Sequence, residues 1–200
     1  MIFSSVEKAC QLLVDAAAQD DVVRTRLEQE GKLFGNQYNA EMRSLHEKNA
    51  DLLDSFLAHY GWPSISKYDF KVHKAAWLIA IHAISKPHVM RRALQNLEQE
   101  LKHGQPVQNE YAKLFDRVAL YEGKQQYYGT QFYPSTTGFY ARNLMDPENV
   151  DNRRALLGLP SFADGKKECC PESGGVMDAA ELEVFEKNLL AFLKEVGWQK

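Results

Sequence analysis

The chain has 200 residues, 44% of them hydrophobic and 26% charged, and a formal net charge of -3 at pH 7. That composition suits a globular protein with a substantial core. It excludes general nucleic-acid binding, because the basic pairs Arg91-Arg92, Arg153-Arg154 and Lys166-Lys167 are scattered rather than pooled.

The elements follow in chain order. Residues 4 to 18 place Val6, Cys10, Leu13 and Ala17 on one helical face, and residues 20 to 30 continue as a polar helix. "GKLFGNQ" interrupts with two glycines. A long helix from about Asn39 to Tyr60 carries Met42, Leu45, Leu52, Phe56 and Tyr60 as its stripe, with Asn49 as a polar intruder. Gly61 caps it and Pro63 forbids simple continuation. The next helix, from about Tyr68 to Ile84, is apolar nearly all round from Ala75 onward and is expected to be central. Pro87 opens a helix with the stripe Met90, Leu94, Leu97 and Leu101. Another runs from about Val107 to Tyr121, and Gly123 ends it.

There the helical period breaks. Lys124 to Tyr133 alternates and is rich in tyrosine, as a strand would be; "PSTTG" turns and "FYARNLM" returns, which predicts a hairpin. A short helix follows with Asp146 as N-cap, Pro147 at N1 and Gly158 as its stop. The expected fold class is mainly α (α+β), a helical bundle-like domain with one small β-hairpin. A single domain over 1–160 holds the hairpin near 124–145. A polar loop covers 161–177, and a helix over 178–200 packs on the domain or on a partner.

No apolar run reaches the roughly 18 residues a membrane-spanning helix needs. The first ten residues lack the basic and long apolar segments of a secretory signal. A cytoplasmic protein with no membrane and no nucleic-acid partner is expected. Three cysteines, two of them adjacent, make neither a disulfide framework nor a zinc motif.

Candidate chemistry starts at His82, an imidazole late in an otherwise apolar helix. It is either a core histidine on a backbone carbonyl or a general base at a pocket mouth. His73 lies nine residues earlier, on the opposite side of a helix that turns about 100° per residue. No metal-ligand spacing appears within a helix, so no metal and no cofactor are expected. Asp116 sits mid-helix, where an aspartate gains little. It should pair with an arginine across two helices or orient His82, leaving Arg117 or Arg153 for an anion. In the expected strand Lys124, Gln126, Tyr128 and Thr130 share one face, and Gln125, Tyr127, Gly129 and Gln131 the other. So many donors and acceptors in one run point to ligand contact, or else to a hairpin that satisfies helix ends. Arg153 is expected half buried and Arg154 at the surface.

"GWPS", then "W" and "HA" within a helix, "FDRV", "GKQQYYGTQF" and "NVDNRRALLGL" occur in that order between Gly61 and Gly158. This pattern resembles a bacterial family known only as a domain of unknown function. The resemblance carries His82, Asp116, Arg117, Gln126, Gly129, Thr130, Gln131, Asp151 and Arg153 as motif positions and implies no activity. "HAIS" supplies no carboxylate soon after His82.

Two functional readings follow. The first is a small-molecule-binding protein, a hydrolase or transferase acting on a phosphate- or carboxylate-bearing ligand. In it His82 and Asp116 are catalytic, and Arg117, Lys124, Gln126, Tyr128, Thr130, Gln131 and Arg153 bind the ligand. No nucleophile elbow, phosphate loop or dinucleotide glycines accompany it. The second is a non-catalytic interaction module whose hairpin edge or C-terminal helix meets a protein or peptide. A purely structural polar network is the third way to read the same residues.

Overall fold

The computed structural model describes residues 3–33, 38–170 and 174–200. Part of the glycine-interrupted stretch (34–37) and part of the expected polar loop (171–173) lie outside the described residues. The chain is mainly helical with one small two-stranded hairpin. It divides into two compact units, Met1–Pro106 and Val107–Lys200.

The first unit is built from four helices: α1 (Val6–Gln29), α2 (Ala40–Tyr60), α3 (Phe70–His82) and α4 (Pro87–Lys102). Their starts are written in capping residues. Ser5, Asn39 and Asp69 each accept a backbone N–H of the first turn of α1, α2 and α3, which satisfies donors a helix leaves orphaned. Gly61 ends α2 at φ +74°, a conformation open mainly to glycine. The helix α1 packs on α2 and α3, and α4 packs on α3 and α2. Leu13, Leu53, Phe56, Ile79 and Leu97 are wholly or almost wholly buried. Among the described residues four polar side chains share the interior: Asp20, His46, Asn49 and His73.

The second unit contains α5 (Gln108–Tyr121), β1 (Phe132–Tyr133), β2 (Tyr140–Ala141), α6 (Val150–Leu156), α7 (Phe162–Cys169) and α8 (Ala179–Glu195). The strands pair antiparallel, Phe132 with Ala141 and Tyr133 with Tyr140. The expected strand from Lys124 is therefore a loop up to Gln131. The reason is local: the N–H groups that would face a neighbouring strand turn toward the Asp116 carboxylate instead. Asp146 holds the N-cap position, with Pro147 following, but the element it opens is a 3-10 turn and not the helix itself. Asp146 takes a left-handed conformation without a side-chain cap bond, and the turn, Pro147–Asn149, precedes α6. The stretch expected as a polar loop holds α7, which Ser161 starts by accepting the N–H of Asp164. Asp178 and Glu181 form a reciprocal capping box on α8. That helix meets its own unit through Tyr133–Phe185 and Arg142–Glu186, and Trp198 beyond its end packs on Tyr121.

Candidate functional site

Three helices of the first unit converge on one carboxylate. Asp20 continues the buried stripe of α1, three residues after Ala17. His46 lies in the buried stripe of α2, four residues after Met42. His82 is the last residue of α3. Oδ2 of Asp20 lies 3.0 Å from Nδ1 of His82 and 2.9 Å from Nε2 of His46. The His82 contact is a hydrogen bond. The His46 contact is close without being a hydrogen bond, and among the described residues Nε2 of His46 and Oδ1 of Asp20 are buried with no hydrogen-bond partner. The two rings stack with centroids 4.7 Å apart and planes at 28°. Nδ1 of His46 is bonded to the Tyr38 hydroxyl. That bond sets which tautomer the ring adopts.

Exposure grades across the cluster. The side chain of Asp20 is 1% exposed, that of His46 6% and that of His82 17%. The carboxylate is the floor and His82 the rim. Burial alone would raise the Asp20 carboxyl, but the neighbouring His46 and His82 outweigh it and hold the group well below its ordinary 3.8. A carboxyl lowered in the folded state stabilises the fold above its unfolded value, and that contribution fades as pH falls through the folded value. Replacing Asp20 by Asn is therefore expected to cost more stability near pH 6 than near pH 3. Denaturant titrations at the two pH values measure the difference.

All three side chains are of metal-ligand type, and their ligand atoms lie within 4.8 Å of one another. The expectation of no metal rested on spacing within single helices. A cluster drawn from three helices lies beyond the reach of any such spacing. His73, the histidine weighed against His82 in sequence, is elsewhere occupied: its Nδ1 bonds the Pro63 carbonyl at 3.2 Å and its ring meets Trp62 edge-on.

The other expected site residues belong to the second unit, where they form one network. Asp116 is fully buried and accepts four hydrogen bonds: from the N–H of Tyr127, Tyr128 and Thr130 at 2.7, 3.0 and 2.9 Å, and from the Thr130 hydroxyl at 2.9 Å. Its partners are thus the loop backbone, not the arginine the sequence suggested. Burial raises its carboxyl, and the donors from Tyr128, Thr130 and Tyr127 oppose that rise. Gln126 is fully buried and satisfied. Its amide N–H groups reach the carbonyls of Gln131 and Arg142, and its oxygen accepts the Gln131 N–H. Gln131 in turn bonds the Lys113 carbonyl and accepts from Nε of Arg117 at 2.9 Å.

The guanidinium of Arg153 donates to the carbonyls of Tyr127, Met145 and Asp146. Arg154, expected at the surface, is 5% exposed and donates to the carbonyls of Pro160 and Tyr128. These carbonyls lie in the loop after α5 (Tyr127, Tyr128), before α6 (Met145, Asp146) and after it (Pro160), and two adjacent arginines satisfy them from one helix. Gly129, at φ +66°, lets the Phe162 ring approach so closely that an added Cβ would lie 2.7 Å from it. Tyr128 packs on Phe115 and Tyr111, and burial pushes its hydroxyl up to about 12. Lys124 lies at the surface on Glu122.

The second unit also carries a half-open cavity of about 440 Å³, lined among others by Leu120, Tyr121, Tyr133, Arg142, Leu189 and Leu193. Arg142 and Glu186 both line it and pair at 3.4 Å. None of Asp116, Gln126, Gln131 and Arg153 lines this cavity. Among the described residues no helix is long and apolar enough to cross a membrane.

The class defined by fold and site is a mainly α-helical chain with a small hairpin, carrying a buried Asp–His–His cluster and a separate loop-clamping network. The chain belongs to DUF6624, a family of unknown function, whose model matches residues 9–167. That match is wider than the motifs between Gly61 and Gly158, and it takes in Asp20 and His46 as well as His82. Comparison with curated proteins and with solved structures gives no match.

Proposed function

We propose that the protein binds a small phosphate- or carboxylate-bearing molecule at the Asp20–His46–His82 cluster and acts on it as a hydrolase or transferase. The observation that carries this reading is the buried carboxylate holding His82, whose ring is the cluster's exposed edge. Hydrolysis or transfer at such a group needs one side chain to take a proton and a polar environment to hold the developing charge. A histidine oriented by a buried carboxylate, with a second histidine on the same oxygen, supports both. Asp116 then keeps the loop in shape and takes no part in the reaction. The arginines first assigned to the ligand, Arg117 and Arg153, hold Gln131 and three carbonyls.

The test is turnover on a panel of phosphate monoesters, diesters and carboxylic esters. His82→Ala is expected to lower the rate about a hundredfold, with an unchanged circular dichroism spectrum. Unchanged turnover in a folded variant rules out the role of His82.

A second reading is favoured by α8, which exposes Val184 and Leu190, the latter lining the cavity. In it the second unit is a protein-interaction module. Leu190→Arg would then abolish capture of a partner peptide without changing turnover.

A further inference from the structure

We propose that Asp20, His46 and His82 hold one first-row divalent transition-metal ion, and that this ion is what activates the ligand in the reaction proposed above. The inference rests on that reading for the ligand class and reaction, with His82 now a metal ligand through Nδ1 in place of the group that takes the proton, and on the geometry of the three side chains for the site itself.

The donor set is two imidazole nitrogens and one carboxylate, Nε2 of His46, Nδ1 of His82 and Oδ2 of Asp20. Two histidines and a carboxylate on one face, with other positions open, are typical of six-coordinate ferrous and related centres. Metal–ligand bonds of about 2.1 Å give ligand–ligand edges of roughly 3.0 Å in an octahedron and about 3.4 Å in a tetrahedron. The two carboxylate–imidazole edges are 2.9 and 3.0 Å, the length of an octahedral edge, and the third, between the imidazoles, is within 4.8 Å. Absence of thiolate argues against soft ions, and two imidazoles argue against magnesium and calcium.

Hydrogen bonding alone does not account for the cluster. Nε2 of His46 and Oδ1 of Asp20 are buried and have no hydrogen-bond partner among the described residues. An Asp–His–His arrangement built only for stability would turn the His46 ring to donate to the carboxylate. Instead the ring sits beside that of His82, both presenting nitrogen to one oxygen. The Tyr38 hydroxyl on Nδ1 of His46 is the outer partner that metal-bound histidines need, fixing ring orientation and tautomer. Three protein ligands leave three positions for water or ligand oxygens, and the rim at His82 is where they would enter.

The experiment uses the full chain, stripped with chelator and titrated anaerobically with Fe(II), Mn(II), Co(II), Ni(II) and Zn(II). Metal content is read by elemental analysis and affinity by calorimetry. The expected result is about one ion per chain. Asp20→Asn and His46→Ala lose it, and Tyr38→Phe weakens binding at least about tenfold. Two variants of different shape guard against misfolding, with circular dichroism as the check. The double variant C169S/C170S is expected to keep the ion, because no cysteine is among the three donors.

No uptake of any of the five metals would overturn the proposal, as would a stoichiometric ion retained by folded His46→Ala and Asp20→Asn. Turnover by the stripped protein that still depends on His82 would also overturn it, and would leave the proton-transfer reading standing. One ion per chain with no turnover on any substrate would support the metal site and count against the hydrolase or transferase reading alone.

Discussion

Replacing Asp116 by alanine is expected to destabilise the Val107–Lys200 unit by about 4 kcal/mol. The carboxylate accepts three backbone N–H groups and one hydroxyl from the segment Tyr127 to Thr130. Each buried donor left without an acceptor costs about 1–3 kcal/mol, and partial relaxation lowers the sum. Among the described residues no strand stands ready to take those N–H groups: the isolated bridge of Gln126 with Leu144 precedes them and the strand pairing begins after them, at Phe132. Asp116→Asn keeps one acceptor oxygen and should lose about half as much. Denaturant unfolding gives the size of the effect. Hydrogen exchange locates it, with protection lost first at Tyr127, Tyr128 and Thr130. A loss below about 1 kcal/mol for the alanine variant would mean that the loop holds itself by other contacts.

The second large effect is expected at His46. With chelator present, His46→Ala should cost the Met1–Pro106 unit about 3 kcal/mol. Removing one partner of a buried charge leaves the other uncompensated, typically at 3–5 kcal/mol. Asp20 keeps His82, which lowers the figure. The control is the same change in an Asp20→Asn background. There the neutral amide needs no compensating ring, and His46→Ala should cost about 1–2 kcal/mol less. Equal costs in both backgrounds would show that His46 acts by packing alone and that the carboxylate does not depend on it.

The helices were legible because their signals are local. Asn39 and Asp69 cap where a capping residue precedes an apolar stripe, and Gly61 stops α2 where glycine alone accepts φ +74°. The apolar face of α2 through Met42 and Phe56 is the buried one. The hairpin was legible in type but not in length. Alternating tyrosines from Lys124 read as a strand, whereas the segment folds around Asp116, a carboxylate eleven or more positions earlier. No local pattern announces an aspartate that stands in for a neighbouring strand.

The same limit hid most of the cluster. His82 stood out as the polar residue of an apolar helix, but its carboxylate lies 62 residues earlier in the chain. One signal was present. Asp20 and His46 each fall at helical spacing within an apolar stripe, after Ala17 and Met42, where a polar side chain must find a buried partner. Arg154 was misread for a related reason. It was expected at the surface, yet Asp151, three residues before it, accepts the Phe162 N–H and the Arg154 guanidinium turns inward to carbonyls.

The most direct measurement of the central claim, that the Asp20–His46–His82 cluster handles a small anionic ligand, is a thermal-shift screen. Nucleotides, sugar phosphates, amino acids and small carboxylates would be offered to the wild type and to His82→Ala. A ligand at 100 times its dissociation constant should stabilise by about 2.7 kcal/mol, a shift of roughly 5–10 °C for a chain of this size. The expected result is such a shift with one phosphate- or carboxylate-bearing class, absent from the folded variant. A shift of equal size in His82→Ala, or none with any compound, would contradict it.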